Sequence, residues 1–121
     1  MTPLRVLLVD DEPFIRTTVS MMLALEGHSV ETAADGEAGL RLAQQKLPDV
    51  ILTDLHMPRM DGLALLAAIR GDPALLHTRV VLFTGENLSD VVATAHALAD
   101  ARLTKPFTRA QLLAALRSIT A

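Results

Sequence analysis

The sequence predicts an α/β domain: a doubly wound, five-stranded parallel sheet of order 2-1-3-4-5 with five helices. Three observations lead there. Short apolar runs such as Val6–Val9, Val50–Leu52 and Val80–Phe83 are bounded by turn residues and have the length of buried strands. Segments with apolar residues at helical spacing separate them, so the elements alternate and the strands run parallel. The 121 residues, half of them apolar and only three aromatic, suffice for one core built of Leu, Val, Ala, Ile and Met. The strand order is a fold-level prior, one of the two common doubly wound orders.

Arg5–Val9 is the first strand and stops at Asp10-Asp11. Pro13 opens a helix, where its missing N–H costs nothing, and Phe14, Ile15, Thr18, Met21, Met22 and Leu25 follow at helical spacing up to Gly27. Ser29–Ala33 alternates as a second strand. Glu37–Gln45 is a second helix, with Ala38, Leu42 and Leu47 facing inward. Val50-Ile51-Leu52-Thr53 is the third strand and runs out at Asp54. A proline-containing loop, His56 to Asp61, leads into a third helix capped by Asp61 and carrying Leu63, Leu65, Leu66 and Ile69. Gly71-Asp72-Pro73 marks a loop. Val80–Thr84 is the fourth strand, and Leu88, Val91, Val92 and Ala95 give a fourth helix. A short strand at 102–104 precedes Lys105-Pro106-Phe107, and the last helix, from Thr108 to about Ile119, carries Leu112, Leu113 and Leu116. These units use the whole chain, so residues 1–121 are expected to form one domain.

Composition excludes several functions. There is no cysteine, hence no disulfide framework, thiolate metal site or cysteine nucleophile. The longest apolar run, Leu63 to Ile69, is too short to span a bilayer, and the acids at 10–12 interrupt any secretory segment. A cytoplasmic protein without a membrane association is the expectation. A net charge of −3 gives no electrostatic reason for direct nucleic-acid binding, and Lys105, Arg109 and Arg117 lack the aromatic interleaving of such a patch. No Gly-x-Gly-x-x-Gly follows the first strand, so a dinucleotide site is not expected.

Every strand but the second ends on a chemically useful residue: Asp10 and Asp11, Asp54, Thr84 and Lys105. In the order 2-1-3-4-5 the first and third strands are neighbours about 4.8 Å apart, so the three acids converge at the switch point. Lys105 lies two strand spacings from Asp54, about 10 Å, which its side chain largely bridges. Unit charges 4 Å apart repel by about 4 kcal/mol at an effective dielectric near 20. The cluster therefore calls for a cation or a retained proton, and hard oxygen ligands with room for water suit Mg²⁺. A carboxylate nucleophile beside such an ion, with a hydroxyl and an ammonium opposite, is suited to forming an acyl phosphate.

Over its entire length the chain resembles the receiver domains of two-component response regulators, a flavodoxin-like fold also described as CheY-like. The resemblance is carried by Asp10-Asp11, by Asp54 within Asp54-Leu55-His56-Met57-Pro58-Arg59-Met60-Asp61-Gly62, by Thr84-Gly85, and by Lys105-Pro106-Phe107. It implies that Asp54 accepts a phosphoryl group from a histidine kinase or phosphotransfer protein, and that Asp10 or Asp11, Asp54 and the backbone carbonyl of His56 hold Mg²⁺. It further implies that Thr84 moves toward the phosphate, that Lys105 binds it, and that the Lys105–Pro106 bond is cis. The signal would leave through the fourth helix, fifth strand and fifth helix toward a downstream effector or output domain, in a monomer or a phosphorylation-dependent dimer. Two positions depart from the family pattern: Arg102 stands where an aromatic is usual, and Leu98 where glycine is common. Both bear on how the signal leaves the site.

Single residues also have plainer roles. An Asp pair before a helix favours its positive end, and a lone threonine at a strand end is usually structural. Met57 and Met60 read as packing, and His28, His77 and His96 show no metal-ligand spacing. His56 and Glu86 flank the expected path of water to the phosphate. Two other functions use part of the same pattern. A Mg²⁺-dependent phosphatase with an aspartate nucleophile would carry Asp-x-Asp after the first strand, where here the acids are adjacent. A phosphorylation-independent interaction module would be expected to have lost some of the five positions, and all are present.

Overall fold

A computed structural model describes residues 2–85 and 98–120. Five strands, β1 (Arg5–Val9), β2 (Ser29–Ala33), β3 (Val50–Asp54), β4 (Arg79–Thr84) and β5 (Ala101–Thr104), form one sheet of order β2-β1-β3-β4-β5. Every pairing is parallel. The predicted order is thus observed, and β1 to β3 fall on their predicted residues. Among the described residues the helices are α1 (Pro13–Leu25), α2 (Gly36–Lys46), α3 (Gly62–Arg70), a 3-10 turn (Pro73–Leu75) and a C-terminal helix (Arg109–Thr120). The expected helix at Leu88, Val91, Val92 and Ala95 lies outside the described residues.

Alternation along the strands builds two apolar layers. Val6, Leu8, Val50, Leu52, Val81, Phe83 and Leu103 face Val19 and Leu23 of α1 and Leu112 and Leu116 of the C-terminal helix. Leu7, Val9, Ile51 and Val80 face Ala43 of α2 and Leu65, Leu66 and Ile69 of α3. The central strands are buried on both sides, as parallel strands under helices must be.

Local chemistry sets the helix ends. Pro13 stands in the first turn of α1, and Gly27 follows its end at φ 90°, a conformation that suits glycine. Asp61 caps α3 by accepting the Ala64 N–H at 2.8 Å. Thr108, predicted as the first residue of the last helix, is its cap: Thr108 Oγ1 accepts the Gln111 N–H, and Gln111 Oε1 accepts the Thr108 N–H.

The structure decides which apolar stripe of α1 is covered, and it corrects one inward-facing assignment, that of Leu47. Phe14, Met21 and Leu25 of α1 are 75%, 61% and 76% exposed, whereas Val19 and Leu23 are buried with Ile15 and Met22 packed beside them. Both stripes satisfy helical spacing, and the sheet selects the second. Leu47 does not face inward either. It ends α2 in the left-handed conformation at φ 47° and is half exposed.

Candidate functional site

The C-terminal edge of β1, β3, β4 and β5 carries the site. β1 pairs with β3 from Val6↔Val50 to Val9↔Thr53, so Asp10 follows directly beside Asp54. Ligand atoms of Asp10, Asp11 and Asp54 lie within 4.8 Å of one another. Asp10 is fully buried, Asp11 exposed, and Asp54 between them. The oxygen-only donor set and this spacing fit a hard divalent cation such as Mg²⁺.

Both oxygens of Asp10 are engaged. Oδ1 accepts the Glu12 N–H at 2.9 Å, and Oδ2 accepts from Lys105 Nζ at 2.8 Å. The same ammonium stands 3.3 Å from Asp54 Oδ2, so the two strand spacings are bridged. Asp54 Oδ1 accepts the Leu55 N–H at 2.8 Å. Burial pushes the Asp54 carboxyl above its usual range, and Asp10 adds to the shift while Lys105 opposes it. Burial alone would lower the Lys105 ammonium, but its bond to Asp10 and the charges of Asp54 and Asp10 outweigh that and raise it.

Thr84 is buried at the end of β4, where it pairs with Thr104 and its carbonyl accepts the Lys105 N–H at 2.8 Å. The Lys105–Pro106 bond is cis. His56 is exposed, two residues past Asp54, in the loop that Gly62 N–H closes onto the Leu55 carbonyl at 2.8 Å. Gly62 permits that closure, because a Cβ there would meet the Asp54 carbonyl oxygen at 2.2 Å. Glu86 and His96 lie outside the described residues. His28 is buried, its Nδ1 accepting the Leu4 N–H at 2.9 Å, and is remote in role from the acids.

Sequence reasoning missed two contributors. Arg16 on α1 donates to the Asp10 carbonyl at 2.7 Å, and its position one turn past Pro13 was the available signal. Phe83, read only as core, has its ring centroid 5.8 Å from Lys105 Nζ and 4.9 Å from that of Phe107, so an aromatic pair supports the ammonium. A groove of about 410 Å³ opens beside Lys105, lined by Phe14, Ile15, Met22 and Phe107 among others.

Comparison with known proteins agrees with this geometry. Residues 6–117 match the family model of the response regulator receiver domain. The response regulator MprA of Mycolicibacterium vanbaalenii is 38% identical over 119 residues, which are 97% of this chain and 50% of that protein. The DNA-binding dual master transcriptional regulator RpaA of Synechocystis is 35% identical over 116 residues, 95% of this chain and 48% of that protein. The chain thus spans about half the length of these curated relatives. Among solved structures, the chemotaxis response regulator CheY4 of Vibrio cholerae superimposes with a TM-score of 0.91 at 37% identity, covering 98% of this chain and 99% of that one. The receiver domain of the sensor histidine kinase PA1611 from Pseudomonas aeruginosa, with a magnesium ion coordinated in its active-site cleft, gives 0.88 at 30%, covering 99% and 100%.

Proposed function

Because this chain belongs to the response regulator receiver domain family, we propose that residues 1–121 form one receiver whose phosphoacceptor is Asp54. The observation that carries the reading is the Lys105 ammonium, which lies between Asp10 and Asp54 at 2.8 and 3.3 Å. A buried carboxylate beside a fixed cation is placed to attack phosphorus and to have the incoming charge balanced. One Asp54 oxygen forms the new P–O bond while the P–N bond of a phosphohistidine donor breaks, its electron pair leaving on the imidazole. Lys105 and the Thr84 hydroxyl bind the phosphoryl oxygens. Asp10, Asp11, Asp54 and the His56 carbonyl would hold Mg²⁺, which neutralises charge on the transferring group when bound.

The protein then acts as a signalling module and catalyses only its own phosphorylation and dephosphorylation. The donor is a histidine kinase or phosphotransfer protein, for which the groove beside Lys105 offers an apolar surface. Phosphate shifts a two-state equilibrium, read through β5 and its flanking helices by a downstream protein or output domain. No helix among the described residues is long and apolar enough to cross a membrane; a cytoplasmic location is part of the proposal. The test is labelling by a small phosphodonor with Mg²⁺. Wild type takes up acid-stable, base-labile phosphate and Asp54→Asn takes up none; labelling of Asp54→Asn at the wild-type rate would refute the assignment.

A further inference from the structure

The turn before α2 touches the loop after Asp54, and the contact is built for close approach. A Cβ on Gly36 would stand 2.2 Å from the Met60 carbonyl oxygen and 2.8 Å from the Met60 Cβ, so the loop rests where only glycine admits it. Next to it, the buried Asp35 uses Oδ1 to cap α2 through the Ala38 N–H at 2.8 Å and Oδ2 to receive the Arg59 guanidinium at 3.3 Å. Arg59 and Met60 hold φ values of 56° and 109°, in the half of backbone space that side chains disfavour. Such residues keep that conformation only where their surroundings impose it. Met57 and Met60 pack against the apolar layer under α2 and α3.

We propose that the Asp35–Gly36 turn is a positioning element for the metal loop: it fixes residues 56–61 in the conformation in which the His56 carbonyl joins Asp10, Asp11 and Asp54. The inference rests on the receiver reading above and adds residues to it. The loop has two points of attachment. Its neck is held by Leu55 and Gly62, and its tip, residues 59–60, has the α2 turn. Without the tip contact Arg59 and Met60 relax toward ordinary backbone, and a smaller fraction of molecules presents the binding conformation. Apparent metal affinity falls by that fraction.

The experiment titrates the metal-free full chain with Mg²⁺ alone, following amide shifts and binding heat, alongside thermal unfolding without metal. Asp35→Asn keeps the cap, because asparagine also accepts the Ala38 N–H, and removes the charge pair. It and Arg59→Ala each weaken Mg²⁺ binding about threefold, as a pair with a solvent-exposed arginine permits. The double variant is no weaker than either, and Arg59→Lys restores most of the loss. Gly36→Ala, which displaces Met60 directly, weakens binding about tenfold. Metal-free Tm for Asp35→Asn stays within about 2 °C of wild type. Wild-type Mg²⁺ affinity in Arg59→Ala and Asp35→Asn overturns the proposal, as does a loss in Arg59→Lys equal to that in Arg59→Ala. These variants decide the matter if Gly36→Ala does not fold. Absence of Mg²⁺ binding by the wild type is a separate result, which removes the receiver reading itself.

Discussion

Lys105 and Asp10 are 95 residues apart in the chain and joined by a 2.8 Å bond between an ammonium and a carboxylate with no exposed surface. The bond spans β5 to β1 across β4 and β3, and Asp54 lies on its path. Lys105 therefore places a positive charge within the acidic cluster.

Replacing Lys105 by methionine leaves Asp10 buried beside Asp54 without its counter-charge. Breaking a buried pair costs about 3–5 kcal/mol, and residual exposure of Lys105 with the Glu12 N–H still on Asp10 puts the expected loss nearer about 2–3. Urea unfolding with a chelator measures it. Mg²⁺ restores part of the loss, because the ion binds only the folded cluster, and phosphorylation of Asp54 falls. Equal stability of variant and wild type in chelator would sink the account.

Asp54→Asn has a pH-dependent effect on stability as well as on labelling. The Asp54 carboxyl is raised by burial. Its contribution is therefore fully present below the unfolded value of 3.8 and lost as pH rises through the folded value. Removing the charge stabilises the metal-free protein at pH 7 and not at pH about 3. Thermal unfolding at the two pH values checks the sign; a variant less stable than wild type at neutral pH contradicts it.

Gly62→Ala forces a Cβ toward the Asp54 carbonyl oxygen, 2.2 Å away, and no flexible side chain is there to give. Overpacking of this kind costs about 1–3 kcal/mol. Because the displaced atom belongs to the proposed phosphoacceptor, labelling of folded Gly62→Ala slows along with the loss of stability. Labelling at the wild-type rate would show that the loop neck does not position Asp54.

Arg102 stands on β5 opposite Leu82, and its neighbour Leu103 packs into the layer under α1. It is proposed to give a charge-based readout in place of an aromatic one. Arg102→Ala leaves labelling unchanged and shrinks the amide-shift changes that a phosphate mimic produces along β5 and the C-terminal helix. Unchanged coupling would dispose of the idea.

The face that α1 buries has a direct measurement. Leu25→Gln, at a position 76% exposed, changes stability by less than about 0.5 kcal/mol. Leu23→Ala, with no exposed surface, costs about 2–5 kcal/mol. Comparable losses at both positions would reverse the assigned face.

Among the described residues, the sequence by itself determined the five strands, their parallel pairing and the edge on which Asp10, Asp11, Asp54, Thr84 and Lys105 end. Buried strands and helix caps are written in neighbouring residues, as in Val50–Asp54 and in Asp61 before the third helix. Periodicity alone did not choose between adjacent apolar stripes on α1, because Phe14–Met21–Leu25 and Ile15–Val19–Met22 satisfy it equally. Only the sheet underneath decides which one is covered. The same holds for the chemistry. That Lys105 reaches Asp10 as well as Asp54, that Phe83 supports its ammonium, and that Gly36 and Asp35 meet the loop beyond Asp54 are contacts between distant parts of the chain. Their energies depend on burial and separation, which exist only after the strands are laid side by side.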